Sequence, residues 1–236
     1  MNDWDASRKA SLELQKLELD VENAKLDLRR LAAEAEEKEH QAALAAIRLR
    51  EAEAAETERD CSDAANYTYR FADEVDDDSI FALMDTVNSW HRADAESKWN
   101  LIIDSPGGCC NSGFHLIDQL IEYSVWGGGS HYITMTVRGM AASMGGIILQ
   151  AADERVMGRN AQILIHPISS GIRGKRQQMI DEIECIEMLT KQAAKLFRHR
   201  AGNKLPKKKL NKALMYKDWW IGAEEALRLN LVDRIG

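Results

Sequence analysis

The chain lacks glycine and proline in its first 105 residues: all 15 Gly and all 3 Pro lie between Pro106 and Gly236. Those residues punctuate turns, so a turn-poor front precedes a turn-rich back. Cysteine is scarce, with Cys61, Cys109, Cys110 and Cys185 only. Adjacent Cys109 and Cys110 make a poor disulfide pair and no CxxC spacing suggests zinc, so a reducing, cytoplasmic setting is expected. No apolar run approaches the roughly 20 residues a membrane span needs. Met1 to Asp5 is acidic without an apolar stretch behind it, which does not read as a secretory signal. Positive charge is in deficit too. The net charge is −7, which gives no support for general nucleic-acid binding. Residues 1–60 hold 10 Lys/Arg against 16 Asp/Glu, and the remainder is nearly balanced. One basic stretch, Lys204 to Lys212, reads as the solvated surface of a helix or loop.

What fills the front is Ala, Leu, Glu, Lys and Arg, all good helix formers. Residues 6–58 read as one long helix. Apolar positions alternate in steps of three and four: Leu14, Leu17, Val21, Ala24, Leu28, Leu31 and Ala35, then Ala42, Ala45, Leu49 and Ala52, with Lys38 breaking the seam once. A sustained repeat near 3.5 residues predicts a coiled coil, and residues 1–60 are expected to form a helical arm for oligomerisation or partner docking. A solvated, unpaired helix is the alternative.

From Tyr67 the pattern changes. Tyr67–Phe71, Trp99–Ile103, Tyr132–Val137, Arg155–Met157 and Gln162–Ile165 read as strands. Ile80–His91, capped by the Asp76–Ser79 run, reads as a helix. So do about Gly113–Val125, the stretch after a turn at Gly139 up to Gln150, Lys175–Arg200, and Ala223–Asn230. Alternating strands and helices predict an α/β domain with a mainly parallel sheet.

Four segments of that domain carry chemistry. In Val137–Gly146 a strand ends, Gly139 turns the chain and small residues open a helix, putting Ser143 near a helix N-terminus. Free amides and the helix dipole there favour developing negative charge, and the Met144 N–H is one candidate oxyanion donor. Close helix–strand packing would explain the same small residues. Asp104-Ser-Pro-Gly-Gly108 is a second strand-to-helix turn, whose Gly108 N–H is a second candidate donor, or simply part of a tight turn. His166 ends the apolar strand Ile163–Ile165, where α/β sites gather, and imidazole suits a general base near neutral pH. A merely hydrogen-bonded histidine is the alternative. The other histidines, His40, His91, His115, His131 and His199, have no comparable context. Asp218, ahead of Trp219 and Trp220, could hold a histidine in one tautomer or cap a helix. Asp153, Asp181 and Asp233 are carboxylates that sequence chemistry does not exclude from that role.

Together, and in order, these segments resemble the Clp proteolytic-subunit (ClpP) family over about residues 67–236. Ser105-Pro-Gly-Gly108 is similar to its oxyanion loop, and Gly139-Met-Ala-Ala-Ser-Met-Gly145 to its nucleophile turn. Leu164-Ile-His166 is similar to its base strand. Asp218-Trp-Trp-Ile-Gly-Ala-Glu-Glu-Ala226 with Leu231–Ile235 is similar to its acid segment and C-terminal end. The resemblance implies a ClpP/crotonase-like ββα superhelix, here preceded by the long helix. It implies a serine endopeptidase with Ser143 as nucleophile, His166 as base, Asp218 as orienter, and the amides of Gly108 and Met144 as oxyanion donors. Ser169, Ser170 and Gly171 would lie beside a substrate bound as an added strand, read through its backbone, so cleavage specificity would be broad. The helix at 175–200 would be the handle through which two rings of a homo-oligomer stack. No metal or cofactor is implied, and neither nucleic acid nor membrane is an expected partner.

The sequence departs from the family at Asp104, where Asn is usual, and at His166, followed by Pro rather than Gln-Pro. About six extra residues occur around Trp126–His131. The acidic helix stands where housekeeping members have a short apolar segment that meets an ATP-driven unfoldase. That combination, with Met140–Gln150 and Met157-Gly-Arg-Asn160, is more similar to the ClpP-like head maturation proteases of tailed bacteriophages. It implies ATP-independent cleavage of scaffold and capsid proteins, in the host cytoplasm or inside an assembling prohead. Two other readings are a proteolytic subunit that works with an unfoldase and a catalytically silent assembly protein. An acyl-CoA-binding crotonase lacks the Ser–His–Asp set, and a Ser–Lys signal peptidase needs a lysine base and usually an anchor.

Overall fold

The computed structural model describes residues 3–60, 63–171 and 173–236, which divide into two compact units, Met1–Cys61 and Ser62–Gly236. Cys61 lies outside the described residues, as do the side chains of Leu14 and Ala24 in the apolar seam. The first unit is one helix, α1 (Asp3–Asp60). Nothing in its sequence interrupts the i→i−4 ladder, and exposed pairs such as Arg30–Glu34 at 3.2 Å run along its surface. Leu17, Val21, Leu28, Leu31 and Leu49 of the seam are all exposed. Among the described residues no helix is long and apolar enough to cross a membrane.

The second unit alternates strands and helices as expected of an α/β domain. It runs β1 (Thr68–Phe71), α2 (Asp77–Ala93), β2 (Trp99–Ser105), α3 (Cys110–Tyr123), β3 (Ile133–Ala142) and α4 (Met144–Ile148). Then come β4 (Glu154–Met157), β5 (Gln162–Ile165), α5 (Arg176–Ala201), α6 (Lys207–Met215), β6 (Trp219–Gly222), α7 (Ala223–Arg228) and β7 (Arg234–Ile235). The expected cap on α2 forms: the Asp76 carboxylate accepts from the Ser79 N–H at 2.8 Å, and the Asp76 N–H donates to Ser79 Oγ at 3.1 Å. Strands pair in parallel in the order β1-β2-β3-β4-β7, and β5 branches from β3. Across β2 and β3, Trp99, Leu101 and Ile103 face Ile133, Met135 and Val137 in register, and all six are buried. This ladder is the centre of the core.

β3 serves two partners. Thr134–Val137 pair with β4, and Met140–Ala142 pair with β5. The switch occurs at Gly139, whose φ of +84° suits glycine. The sequence predicts a turn there. The strand instead continues beyond the kink, because the Asp104 carboxylate accepts from the Met140 N–H at 3.0 Å and β5 supplies the next rungs. The departure at Asp104 therefore has a structural task.

Two strands go unread in the sequence. Trp219 is buried and Trp220 exposed, the alternation of a strand, and β6 runs antiparallel to β5. β7 has only two residues and is anchored by an ion pair: buried Arg155 meets Asp233 at 2.7 Å and also donates to Gln150 Oε1 at 2.7 Å. Burial alone would raise the Asp233 pKa, and its hydrogen bonds and charge interaction with Arg155 reverse this and hold it low.

The extra residues Trp126–His131 form a short 3-10 turn and return to the core. His131 is fully buried. One ring nitrogen, Nδ1, lies 2.8 Å from the Ser97 carbonyl oxygen, the other lies 2.8 Å from His91 Nδ1, and the ring stacks on Trp99 at 3.9 Å. His91 and His131 thus have a context that their sequence neighbours do not reveal.

Candidate active site

The candidate residues gather at the C-terminal ends of β2, β3 and β5. Parallel strands put those ends on one edge of the sheet, the edge where α/β proteins carry their sites. Ser143 directly follows β3 and adopts φ +52°, ψ −120°, a left-handed conformation rare for a residue with a side chain. Its N–H donates to the Leu164 carbonyl at 2.9 Å, which adds one rung to the β3–β5 ladder and holds the elbow shut. Met144 then opens α4.

The loop after β2 packs against that elbow. Ser105 Oγ donates to the Asp73 carbonyl at 2.6 Å and accepts from the Gly107 N–H at 3.2 Å. The Val75 N–H donates to the Gly107 carbonyl at 2.9 Å, and the Cys109 N–H to the Val75 carbonyl at 2.6 Å. Gly107 has φ +90°, and a Cβ there would stand 2.5 Å from Ser143 Cβ and 2.9 Å from the Met144 nitrogen. Only a glycine lets the loop approach this closely. The Met144 side chain is buried against Gly113 of α3, so the residue after Ser143 is pinned as well. Among the described residues, neither the Gly108 N–H nor the Met144 N–H donates a hydrogen bond. Two unused amides therefore flank the elbow from its two sides, and Gly107 is the contact between them.

His166 follows β5 and is half-buried. β5 and β6 pair Ile165 with Trp219, so the next antiparallel step sets His166 opposite Asp218. Among the described residues no hydrogen bond joins Ser143, His166 and Asp218, and Asp218 is exposed. Two other carboxylates have structural tasks at the opposite edge. Asp153 accepts from the N–H groups of Trp126 at 2.6 Å and Ile133 at 2.8 Å, and Asp233 holds Arg155. Asp181 accepts from Gln177 at 2.8 Å on the surface of α5.

Ser169, Ser170 and Gly171 lie in an exposed loop without strand pairing, which Ser170 ties to α5 by a hydrogen bond to Glu182 at 2.6 Å. Two features were not legible beforehand. An apolar cavity of about 430 Å³ begins at Pro167 and Ile168, next to His166, and continues between α5 and α6 past Ile183, Ile186, Leu214 and Met215. Its residues come from segments far apart in the chain. Cys109, placed at the mouth of the loop as N-cap of α3, is exposed, and its polar neighbour Ser112 holds its thiol pKa down. Burial pushes its neighbour Cys110 up.

A sequence model of the family described as Clp protease matches residues 65–236. The chain is 29% identical over 148 residues to the ATP-dependent Clp protease proteolytic subunit 2 of Bacillus licheniformis, an alignment covering 60% of this chain and 71% of that protein. It is 30% identical over 146 residues to the ATP-dependent Clp protease proteolytic subunit of Deinococcus radiodurans, covering 59% of this chain and 65% of that protein. The chain thus spans about two thirds of the relatives it matches.

Proposed function

We infer the reaction of this site from one premise: the chain belongs to the Clp protease family. It is accordingly read as a serine peptidase, with Ser143 as the nucleophile. The observation that carries this reading is the strained elbow at Ser143 flanked by the unused amides of Gly108 and Met144. Strain of this kind persists where the surrounding structure enforces it, and such positions cluster at active sites. Free donors on either side of a serine suit an oxyanion that forms only during reaction.

In the proposed mechanism His166 takes the proton from Ser143 Oγ as that oxygen attacks the substrate carbonyl carbon. The carbonyl oxygen becomes an oxyanion and receives the N–H groups of Gly108 and Met144. Collapse of the tetrahedral intermediate breaks the C–N bond, and His166 returns the proton to the leaving amine. Water, deprotonated by His166, then hydrolyses the acyl-enzyme. Asp218 remains ionised and orients the ring, a role supported by its register opposite His166. The serine hydroxyl and the imidazole must close to hydrogen-bond distance for the first step, as catalytic groups do when substrate arrives. Ser169, Ser170 and Gly171 border the substrate strand, and the apolar cavity beside His166 receives a side chain next to the scissile bond.

The working unit is a homo-oligomeric ring, with α5 as the surface through which two rings stack. Met179, Ile180 and Met188 of α5 are exposed, as such a contact needs. The biological setting is ATP-independent maturation cleavage of capsid and scaffold proteins in a bacteriophage prohead. The acidic α1 and its exposed apolar seam support this reading, as an arm that pairs in a coiled coil with a second copy or an assembly partner. The second reading is partnership with an ATP-driven unfoldase, favoured by the words ATP-dependent in the names of both relatives.

Fluorophosphonate labelling of the purified protein, with mass spectrometry to locate the adduct, tests the nucleophile. An adduct on Ser143 that Ser143→Ala abolishes is the expected result, and an assembled oligomer that stays unlabelled sinks the reading. Cleavage of an unfolded protein substrate without nucleotide separates the two settings, since an unfoldase-dependent subunit would leave long substrates intact.

A further inference from the structure

The groove that continues from the candidate site carries a charge opposite to that of the chain as a whole. Between α5 and α6 lies a cleft of about 890 Å³, whose walls include Lys191, Arg198, Lys207, Lys208 and Lys212 and no carboxylate. Lys191 has an exposed partner in Glu187 at 3.4 Å. Among the described residues the other four cations form no ion pair.

Helix electrostatics makes this arrangement unfavourable on its own. Lys207, Lys208 and Lys209 occupy the first turn of α6. That turn favours carboxylates and disfavours cations. Lys209 has a local compensation, an ion pair with Glu225 at 2.7 Å and the Trp219 ring at 4.0 Å. Lys207 and Lys208 have none. Residues that break a local rule without a structural return point to a task outside the fold, and for uncompensated cations gathered on one cleft that task is meeting an anion.

The cleft also leads somewhere. Thr190, Lys191, Leu214 and Met215 line both this basic cleft and the apolar cavity that starts at Pro167 beside His166. The two form one track, largely apolar at its Pro167 end, with Glu187 paired to Lys191 where they join, and cationic beyond.

We propose that the track binds the polypeptide being cleaved, and that the basic cleft holds an acidic segment flanking an apolar residue at the scissile bond. The substrate class is then a polypeptide with a run of Asp or Glu close to the cut. This rests on the peptidase reading above. A peptide fits better than a nucleic acid, because Ala194, Leu214 and Met215 give the cleft an apolar strip and the track reaches Pro167, the residue that follows His166.

The test measures binding to the full-length Ser143→Ala protein by fluorescence anisotropy. The probes are a labelled peptide with an apolar core and a run of glutamates, placed before or after the core in turn, the same peptides with serines, and a single-stranded oligonucleotide. One of the two acidic peptides should bind about tenfold tighter than its serine twin at low salt, with the advantage shrinking as salt rises. Lys207→Glu with Lys208→Glu should erase that advantage. Its melting temperature should hold or rise, because glutamates suit the first turn of α6. Equal binding of acidic and serine peptides, indifference to the charge reversal, or tighter binding of the oligonucleotide would each overturn the proposal. The two readings fail separately. Acidic-peptide binding without any cleavage by the wild type removes the peptidase and keeps the cleft, whereas cleavage with no preference for the acidic flank removes the cleft and keeps the peptidase.

Discussion

The Ser143 N–H and the Leu164 carbonyl meet at 2.9 Å, which locks the elbow to β5, the strand that His166 follows. The serine on one strand end and the histidine on the next are therefore set by a single backbone ladder, and neither can shift without breaking a rung. The left-handed Ser143 backbone is held against its own preference, at about 1–2 kcal/mol.

That strain is measurable. Ser143→Gly and Ser143→Ala should both be inactive and unlabelled. The glycine protein should be the more stable of the two by about 1 kcal/mol, the part of the left-handed penalty left after glycine's greater freedom in the unfolded chain. Denaturant unfolding of the pair decides it, and an alanine protein at least as stable as the glycine one would show that the elbow stores nothing.

Gly107→Ala probes the packing between the two oxyanion amides. The new Cβ would stand 2.5 Å from Ser143 Cβ and 2.6 Å from the Ala142 carbonyl oxygen, neighbours that cannot swing aside. Relief would displace the donors from the elbow, and misplacing one such donor costs about 10²- to 10³-fold in kcat. Steady-state kinetics should show that loss in kcat with KM little changed. A fall in KM-limited binding alone would mean the loop holds substrate rather than the oxyanion.

Much of this arrangement is legible in the sequence, for identifiable reasons. Ser105–Gly108 and Gly139–Gly145 are contiguous, and glycines at a turn announce a close backbone approach. The strand–helix alternation and the cap at Asp76 are likewise local. What is hidden depends on contacts between distant segments. β6 was masked because two tryptophans in a row show no alternation until one is buried against the core and the other is not. His131 reads as loop until Trp99 of β2 and Ser97 just ahead of that strand surround it. The continuation of β3 past Gly139 depends on Asp104 satisfying an amide thirty-six residues away. The cleft between α5 and α6 has no sequence signal beyond the lysine run, which by itself reads as solvated surface.

Asp218→Asn tests the orienter. The substitution keeps the size of the side chain and removes its charge, so a histidine it orients would lose its tautomer and its stabilised imidazolium. A fall in kcat of about 10²-fold is expected with the melting temperature unchanged, given the 10²- to 10⁴-fold typical of general acid–base contributions. Asp153→Asn should behave the opposite way, costing stability through the amides of Trp126 and Ile133 while sparing the reaction. Near-full turnover in Asp218→Asn would move the orienter elsewhere.

The buried His131 should make the fold sensitive to mild acid. Desolvation lowers its pKa, nearby His91 lowers it further, and the Ser97 carbonyl and Asp94 work against them without reversing the direction. Its Nδ1–H donates to Ser97 and its Nε2 accepts from His91, so protonation would remove the acceptor that the His91 N–H uses. The folded state thus binds this proton less readily than the unfolded chain, where histidine titrates near about 6.5. Stability from this group is complete above that value and is lost as pH falls from it toward the lower folded pKa. Unfolding followed by near-ultraviolet circular dichroism, which reports the stacked Trp99, should show a clear loss between neutral pH and mild acid. His131→Phe keeps a ring against Trp99 and has no proton to gain. It should start less stable at neutral pH, because the Ser97 carbonyl loses its donor, and should lose less on acidification. Equal slopes for the two proteins would assign the acid sensitivity to other groups.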